Sequence, residues 1–410
     1  MWASLPLGGL IFAWCTLMAV APIRRPPRLA VFSWVCSMAV NELPFVFLVL
    51  VVASTAPSVV AGDLVAGGDW IGVAVALATA AGLVVVARRA LRTGPALERA
   101  LDEALGRNWR DEIDPALAGR LRGDRPWRRI LLVPWPRRPR DVELLANMPY
   151  GDRGESNLLD VYRHRSHPEL APTLIHFHGG RFRWGRKSRE ARPLLHRLAA
   201  QGWTCISANY LLTPTPAEGF PDHLVDVKRV IAWARTEGRK HGVDPTAVFV
   251  AGSSAGAHLT AMAALTADDP TFQPGFEESD TSITAGIGLY GYYGRLDGPG
   301  GPPTSPLDRD ASGAPPFFVI HGTNDTYVPV EQARELAAAL RASSRNPVVL
   351  AELPGGQHSF DVARSVRFEA VVDAIDAFAA WVRTTDAAGR AERPLTRDRG
   401  PSAGPSSSPD

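Results

Sequence analysis

Ser253 and Ser254 stand between two glycines in the stretch VFVAGSSAGAHL, residues 248–259. The run AVFVAG is typical of a buried strand, and AGAHLTAMAAL is typical of a helix built from small residues. Only Ser254 completes the pattern Gly-x-Ser-x-Gly with Gly252 and Gly256, whereas Ser253 is out of register. A strand–turn–helix reversal of this kind holds the central hydroxyl exposed at the start of the helix. The spacing therefore predicts a nucleophile at Ser254, and a structural glycine–serine turn is the alternative.

A serine hydroxyl needs a base that takes its proton, so a histidine has to lie nearby. In a strand–turn–helix site of this kind, the order along the chain is serine, acid, histidine. His358, in PGGQHSF, lies late in the chain on a loop after the strand-like run VVLAEL, and we expect it to be the base. His258 is expected to be a packed or rim residue, and His321 is expected to support the loop that follows it.

The acid is expected to leave the strand that precedes the histidine loop. Asp325 lies on a turn in FFVIHGTNDTYVPV, where a carboxylate can accept the imidazole N–H and hold its tautomer. Asp308 and Asp310 lie upstream in a loop rich in Pro and Gly and are weaker candidates. Asp361 is expected to serve only the local structure of its loop.

Acyl transfer also needs hydrogen-bond donors that face the developing oxyanion. The stretch TLIHFHGGRFRWG places His178, Gly179 and Gly180 directly after a strand-like run. Glycines let backbone N–H groups approach a substrate closely, and the N–H group of Ala255 would complete the set of donors. A plain glycine turn is the alternative.

Alternating strands and helices must position these residues. Most of the candidate strands are short apolar runs closed by Gly, Asn or a polar residue, as is typical of buried parallel strands. They are VELLAN, LLDVYR, TLIHFH, WTCISAN, AVFVAG, AGIGLY, FFVIHG and VVLAEL. Residues 222–241 show helical spacing, with Asp222 able to cap the start and Gly242 the end. The alternation predicts an α/β fold whose mostly parallel sheet is covered by helices on both faces.

Three apolar runs precede this domain, at residues 3–22, 29–60 and 70–87. Since about 20 apolar residues cross a bilayer, they predict a transmembrane region of about three helices over residues 1–90. A cleaved signal peptide is the alternative for the first run, but no positive segment precedes it.

The charges beside the runs predict their orientation, because positive loops stay in the cytoplasm. Two arginine clusters and one acidic loop flank the runs: Arg24, Arg25 and Arg28; Arg88, Arg89 and Arg92; Asp63 and Asp69. With three spans, both arginine clusters lie inside and the acidic loop outside. The prediction is a multi-pass protein of the cell membrane with a cytoplasmic catalytic domain.

Glu42 interrupts the second apolar run close to Pro44. A carboxyl group inside a membrane span would mark a functional position. The alternative, which we favour, is a break in the run near an interface.

Residues 91–140 are expected to form a basic juxtamembrane linker or a cap. Residues 88–140 hold 14 Arg against 7 Asp and Glu. The mixture of Trp and Arg in RPWRRILLVPWPRRPR suits an anionic headgroup layer, so membrane lipids are an expected partner. An ordinary basic linker with two core-facing tryptophans is the alternative. Residues 141–384 are assigned to the catalytic domain, and residues 385–410 to a disordered tail.

The overall composition and the cysteine pattern argue against several other classes of protein. The net charge is only +2, so no nucleic-acid partner is expected. The three cysteines, Cys15, Cys36 and Cys205, show neither an even framework nor a Cys-x-x-Cys spacing. They therefore favour neither a disulfide scaffold nor a zinc site.

The chain from about residue 145 to 384 resembles the hormone-sensitive-lipase-like branch of the α/β-hydrolases, in particular bacterial membrane-anchored carboxylesterases. The resemblance rests on YGDRGESNLLDVYR, HFHGG, NYLLTP, FPDHLVDVKRVIAWAR, GVDPTAVFVAGSSAGAHL, HGTNDTYVPV and ELPGGQHSF. It implies an α/β-hydrolase fold and a serine esterase without a metal or organic cofactor. Its catalytic residues carry over onto Ser254, Asp325 and His358. Its oxyanion motif carries over onto Gly179, Gly180 and the N–H group of Arg181.

The sequence departs from the family's pattern at four points. Arg181 replaces the third glycine that often follows His-Gly-Gly, which would restrict the acyl pocket or bring charge to it. Ala257 stands where many members have Gly, and Leu211 stands where an Arg is usual, which puts a structural ion pair in doubt. The N-terminal cap of soluble members is not evident, and residues 100–145 or the membrane surface are the hypothesised replacement.

These observations together predict a membrane-tethered serine carboxylesterase that acts on an ester, with a lipid-derived ester suggested by the tether. The first alternative is an amidase or formamidase with the same three residues, and an isoprenylcysteine methylesterase-like role is a narrower version. The alternative from another class is a membrane scaffold on an inactive hydrolase domain.

Overall fold

The computed structural model describes residues 5–61, 67–121, 125–166, 170–296 and 303–392. Within these ranges the helices are α1 (Leu5–Val20), α2 (Pro27–Glu42), α3 (Pro44–Ala61), α4 (Gly67–Leu91), α5 (Thr93–Leu105), α6 (Pro115–Ala118), α7 (Trp127–Leu132), α8 (Arg192–Ala200), α9 (Asp222–Arg235), α10 (Ala255–Leu265), α11 (Glu331–Ser343) and α12 (Val366–Glu392). The strands are β1 (Val142–Pro149), β2 (Leu158–His164), β3 (Ala171–Phe177), β4 (Thr204–Ala208), β5 (Val243–Ser253), β6 (Ala285–Leu289), β7 (Phe317–Gly322) and β8 (Val348–Leu353).

All eight predicted strands are present, and they form one sheet in the order β1-β2-β4-β3-β5-β6-β7-β8. β2 pairs antiparallel with both β1 and β4, and all the other pairs are parallel. The expectation of a mostly parallel sheet is therefore confirmed. Because parallel strands end at the same edge, the loops after β3, β5, β7 and β8 meet there.

Helices cover both faces of this sheet because the side chains of each strand alternate between the faces. Phe249 and Ala251 of β5 lie in one core with α5, α8 and α12. Val248 and Val250 lie in the other core with α9, α10 and α11. Two apolar layers thus fix the sheet from both sides.

Three predicted boundaries within the catalytic half need correction. The helix expected over residues 222–241 ends at Arg235, and a 3-10 turn over Glu237–His241 follows it. Asp222 is the first helical residue rather than its cap, while Gly242 does end the segment, with φ 92°. The predicted disordered tail starts too early, because α12 continues to Glu392; residues 393–410 lie outside the described residues.

The segment expected to be a linker belongs largely to the catalytic core. Leu97 and Leu101 of α5 are buried in the same apolar cluster as β5 and α12, together with Trp109. The indole N–H of Trp109 donates to Asp102 at 3.0 Å, and Arg110 stacks on its ring. The stretch ALERALDEAL, with Leu97, Leu101 and Leu105 one turn apart, has the spacing of an amphipathic helix, and this helix is α5.

The N-terminal region contains four helices among the described residues, whereas about three were expected. The second apolar run is divided at Leu43, between α2 and α3. The segments Pro44–Ala61 and Asp69–Leu105 are each long and apolar enough to cross a membrane. The acidic loop predicted outside the membrane includes Asp63, which lies outside the described residues.

α2 packs on the catalytic half through a polar face. Ser33, Ser37 and Asn41 are buried, four residues apart along the helix, while Phe32 and Val35 are exposed. Glu42, at the end of α2, is buried and accepts hydrogen bonds from Ser365 at 2.7 Å and Arg367 at 3.0 Å. The carboxyl group therefore joins α2 to the start of α12, in agreement with a break in the apolar run rather than with a membrane-embedded site.

Candidate active site

Ser254 lies on the turn between β5 and α10, at the edge of the sheet. Its backbone has φ 55° and ψ −112°, a strained combination for a residue with a side chain. Its N–H donates to the carbonyl of Leu289 on β6 at 2.9 Å, which holds the turn in place. A Cβ atom at Gly252 would overlap the carbonyl of Gly256, and one at Gly256 would overlap the carbonyl of Phe177. Both predicted glycines are thus required by the close approach of backbone groups.

The structure brings Ser254, His358 and Asp325 together, although they come from three separate loops. His358 Nε2 lies 3.1 Å from Ser254 Oγ, and His358 Nδ1 lies 2.7 Å from Asp325 Oδ2. All three side chains are buried. In this arrangement Nδ1–H donates to the carboxylate, and Nε2 is left to accept the serine proton.

Asp325 is held by more donors than His358 alone. Its Oδ1 accepts from the N–H groups of Tyr327 at 2.9 Å and Val328 at 2.8 Å, and His321 Nε2 lies 3.2 Å from Oδ2. Burial alone would raise the pKa of Asp325, but the electrostatic interaction with His358 and the hydrogen bonds from His321 and His358 hold it well below its ordinary value. The carboxyl group therefore stays ionised. His321 supports this loop, as its place in the sequence suggested.

The weaker acid candidates lie elsewhere. Asp308 pairs with Arg295 at 2.9 Å, and Asp310 accepts a hydrogen bond from Ser312 at 2.7 Å. His258 is fully buried between the carbonyls of Tyr292 and Thr304, as expected for a packed residue.

A second polar network lies directly behind the turn, and the sequence reasoning missed it. Asp361 Oδ2 accepts from Ser253 Oγ at 2.6 Å, and Asp361 Oδ1 accepts from Tyr290 Oη at 2.5 Å. Ser253 Oγ in turn lies 2.9 Å from His176 Nε2. All four side chains are fully buried. Asp361 therefore does more than shape its own loop, since it ties the His358 loop to β5 and β6.

The backbone N–H groups predicted to bind the oxyanion differ in whether they already have a hydrogen-bond acceptor. The N–H of Gly179 donates to Glu190 Oε2, so this donor is already engaged and the expectation for Gly179 is wrong. The N–H groups of Gly180, Arg181 and Ala255 make no hydrogen bond to any described residue. These three are free to meet an oxyanion.

His178 builds the shape of this loop rather than facing a substrate. Its ring stacks on Tyr210 with centroids 4.5 Å apart, and its Nδ1 lies 2.7 Å from the carbonyl oxygen of Gly179. Tyr210 donates its hydroxyl to the His178 carbonyl at 2.8 Å. Burial lowers the pKa of His178 to about 4, so the ring is neutral.

Glu190 lies beside Ser254 and was not predicted. Arg189 donates to its Oε1 at 2.8 Å while Gly179 donates to its Oε2. Burial and the nearby Asp361 raise the pKa of Glu190 to about 7. A carboxyl group held in this way fixes the peptide that precedes the free donors of Gly180 and Arg181.

An N-terminal helix contributes to the lining of the pocket at Ser254. Trp34 of α2 joins Trp184, Tyr327 and His358 in its lining. The cavity measures about 10 Å³, room for about one water molecule. α5 packs on β8 and α12, and no described residue between 100 and 145 lines this pocket, so the cap over residues 100–145 stays a hypothesis without support from the lining. The signal that could have identified α2 is the polar stripe of Ser33, Ser37 and Asn41 within an apolar run.

No group of three or more His, Cys, Asp or Glu suited to a metal ion occurs in the part of the chain that the structure describes. The three cysteines are free thiols. Leu211, the departure that put an ion pair in doubt, donates its N–H to Asp226 at 2.9 Å, and Arg153 approaches the other carboxylate oxygen at 3.5 Å.

Comparison with known protein families places the catalytic half among hydrolases. The family described as BD-FAE matches residues 159–293, and the prolyl oligopeptidase family matches residues 300–384. The solved structure of esterase B from Lactobacillus rhamnosus (HN001) has a TM-score of 0.52 at 22% identity, covering 62% of this chain and 90% of that one. This likeness shows the α/β-hydrolase fold.

Two relatives from Mycobacterium tuberculosis match over most of their length. The probable carboxylic ester hydrolase LipM is 34% identical over 92% of this chain and 93% of that protein. The esterase LipQ is 38% identical over 70% of this chain and 75% of that protein. At this identity and coverage, the chain belongs to the hormone-sensitive-lipase-like esterases of the α/β-hydrolase family and is a carboxylic ester hydrolase.

Proposed function

We propose that this esterase cleaves carboxylic esters through a covalent acyl-enzyme formed on Ser254. The observation that carries the proposal is the chain of contacts from Ser254 Oγ to His358 Nε2, at 3.1 Å, and from His358 Nδ1 to Asp325, at 2.7 Å. A nucleophile, its base and the group that orients the base are within hydrogen-bond reach of one another, as nucleophilic catalysis requires.

In the first half-reaction, His358 Nε2 takes the Ser254 proton while Oγ attacks the ester carbonyl carbon. The tetrahedral intermediate collapses as His358 gives that proton to the leaving alcohol oxygen. Water then attacks the acyl-enzyme with the same base, and Ser254 regains its proton when the carboxylic acid leaves. Asp325 stays ionised throughout and stabilises the imidazolium.

The oxyanion would be held by the N–H groups of Gly180, Arg181 and Ala255. Ala255 is the first residue of α10, so its N–H is one of the unpaired donors at a helix start. Such fixed donors cost no reorganisation when charge develops on the substrate oxygen, and one of them is worth roughly 3–4 kcal/mol in the transition state.

The test is labelling by a fluorophosphonate probe and hydrolysis of p-nitrophenyl esters by the detergent-solubilised protein. Ser254→Ala should abolish labelling and lower kcat by several orders of magnitude. Ser253→Ala is the matched control, because it removes the neighbouring hydroxyl of the same turn, and it should still be labelled. Labelling lost in Ser253→Ala and kept in Ser254→Ala would refute the assignment.

A formamidase or amidase reaction would use the same three residues. A stretch of 121 residues is 32% identical to kynurenine formamidase of Danio rerio, covering 30% of this chain and 39% of that protein. Matched ester and anilide substrates with the same acyl group separate the two reactions. The carboxylesterase proposal expects a higher kcat/KM for the ester, by more than the intrinsic difference in reactivity.

We further propose that α1, α3 and α4 cross the membrane, while α2 lies at the cytoplasmic face on the catalytic domain. α3 exposes apolar side chains along its length, among them Val49, Leu50 and Val60. Arg89, at the end of α4, donates to the carbonyl of Val20 at the end of α1, at 2.8 Å. The ends of α1 and α4 that are near the catalytic domain therefore lie together.

The arginines support the same orientation. Arg24, between α1 and α2, donates to the carbonyl of Thr323 in the catalytic domain at 2.9 Å. Both arginine clusters thus lie near the catalytic domain, as the positive-inside rule requires for a cytoplasmic domain. Trp127 packs on Phe45 at the start of α3, and Leu132 and Trp135 are exposed beside it, which suits contact with the headgroup layer.

Reporter fusions test this topology. Alkaline phosphatase inserted after residue 65 should be active in the periplasm, and the same reporter after residue 392 should be inactive. The reverse pattern would place the catalytic domain outside the cytoplasm. With a tether of this kind, the proposed substrate is an ester that partitions into the inner leaflet.

A further inference from the structure

We propose that Trp34 on α2 is a specificity-determining residue, which limits the size of the alcohol part of the ester. The proposal rests on the proposed function, because it assumes that Ser254 receives the acyl group and that His358 protonates the leaving alcohol. It makes the N-terminal region a component of the substrate pocket as well as a tether.

Trp34 is placed directly against the base. Its ring meets the His358 imidazole edge-on at 5.7 Å between centroids, and it packs on Tyr327 at 4.9 Å. Its Nε1–H donates to the backbone carbonyl of His358 at 3.1 Å. A ring held in this way forms one wall of the closed pocket.

The position of Trp34 assigns it to the alcohol side. The imidazole of His358 must approach the leaving oxygen, so the alcohol part of a bound ester passes beside that ring. Gly180 and Arg181, whose N–H groups are the proposed oxyanion donors, lie on the loop after β3, whereas Trp34 contacts Tyr327 and His358 on the loops after β7 and β8. The wall that borders His358 therefore restricts the alcohol rather than the carbonyl oxygen.

The cavity is too small for substrate unless this wall moves. It holds about 10 Å³, whereas sites for small organic ligands occupy roughly 300–1,000 Å³. On the side of α2 away from the pocket, Leu29, Phe32 and Val35 are exposed apolar residues. The polar side of α2 faces the catalytic loops and its apolar side faces outward, so displacement of the helix would open the pocket toward the proposed bilayer. The substrate class that this geometry favours is an ester whose alcohol part is an apolar chain.

α2 is held to the catalytic loops by a small number of hydrogen bonds. Thr326 Oγ1, one residue past Asp325, donates to the Ala30 carbonyl at 2.9 Å. Gln357 Nε2 reaches Ser37 Oγ at 3.5 Å. Together with the Trp34 contact, these bonds connect one helix to both the acid loop and the base loop.

The experiment compares two substrate series with the detergent-solubilised full chain. One series keeps an acetyl group and varies the alcohol from ethyl to octyl; the other keeps p-nitrophenol and varies the acyl group from C2 to C8. Trp34→Ala should raise the ratio of kcat/KM for octyl acetate to that for ethyl acetate by about tenfold or more. The acyl series should change by less than about threefold. Trp34→Phe, with a smaller ring, should give an intermediate shift in the alcohol series.

Phe32→Ala is the matched control, because it truncates an aromatic side chain of the same helix that faces away from the pocket. Its ratios should equal those of the wild type. An unchanged alcohol ratio in Trp34→Ala and Trp34→Phe, or a shift confined to the acyl series, would overturn the proposal. If Trp34→Ala fails to fold, the comparison of Trp34→Phe with wild type decides. Failure of the proposed function is recognised separately, as absence of hydrolysis and of fluorophosphonate labelling in the wild type.

Discussion

The buried network behind the Ser254 turn allows a quantitative prediction for substitutions at Asp361. Asp361→Ala removes the acceptor of two hydroxyl donors, Ser253 and Tyr290, both fully buried. A buried polar group left without a partner costs about 1–3 kcal/mol, so two of them should lower the free energy of unfolding by about 4 kcal/mol. The His358 loop also loses its tie to β5, so kcat should fall as well.

Asp361→Asn provides the sharper comparison. The amide oxygen can still accept from Tyr290, but the amide N–H₂ then faces Ser253, whose hydroxyl must turn and donate to His176 Nε2. This moves the His176 proton to Nδ1, which has no hydrogen-bond partner among the described residues. One orphaned donor should cost about 1–3 kcal/mol. The order of stability should therefore be wild type, then Asn, then Ala.

The assay is thermal unfolding of the detergent-solubilised protein, read beside kcat for p-nitrophenyl acetate. At about 2–4 °C per kcal/mol for a domain of this size, the alanine variant should unfold about 10 °C below the wild type. Equal unfolding temperatures for alanine and wild type, with unchanged kcat, would refute the argument that this network supports the site.

Three further outcomes are expected. Glu42→Ala should lose about 3–5 kcal/mol of unfolding free energy, because it leaves the buried guanidinium of Arg367 without its charged partner. Glu98→Ala, which breaks an exposed pair, should change the unfolding free energy by less than about 1 kcal/mol. Equal effects of the two variants in urea unfolding would contradict this. The pKa of Glu190 is raised to about 7, so the folded state keeps a proton that the unfolded chain loses above its ordinary value of 4.5. Between about pH 5 and 7, the stability of the wild type should therefore fall relative to that of Glu190→Gln, by roughly 1 kcal/mol per pH unit. Parallel pH profiles of the two proteins would be inconsistent with that shift. Gly256→Ala should lose nearly all activity together with fluorophosphonate labelling, because its Cβ atom would meet the backbone of β3, and a labelled, active variant would show that the turn tolerates side chains.

The strands and the three proposed catalytic residues could be predicted because their signals are local. Each central strand is a short apolar run, and Asp325 and His358 follow strands in the order that a Ser254 turn requires. Roles that depend on contacts with residues far away in the sequence cannot be recognised from the sequence alone. Glu190 and Asp361 look like ordinary surface acids until the fold places a backbone N–H or a hydroxyl beside them. The register that excludes Ser253 from the nucleophile role also points its hydroxyl into this network, to Asp361 and His176.

The N-terminal errors have a different physical origin. Mean hydropathy is averaged over all residues of a segment, so it does not reveal the polar stripe of Ser33 and Ser37 within a run that is apolar overall. In α5, by contrast, the helical spacing of Leu97, Leu101 and Leu105 is evident in ALERALDEAL, whereas the burial of this face against the sheet and α12 depends on the fold. In both helices the distribution of residues around the axis decides the packing, and composition along the chain does not report it.

The contact between α2 and the catalytic loops has a consequence for how related chains are compared and recombined. The family matches begin at residue 159, yet Trp34, one of the residues that line the pocket, lies far before them in the chain. On the proposal that Trp34 limits the alcohol part, relatives grouped by their catalytic halves alone would be grouped by reaction and not by the esters that they accept. A chimera that joins this catalytic half to the N-terminal region of a relative should show the ester selectivity of that relative. If residues 24–42 of this chain are kept together with its catalytic half, the chimera should retain the selectivity of this chain.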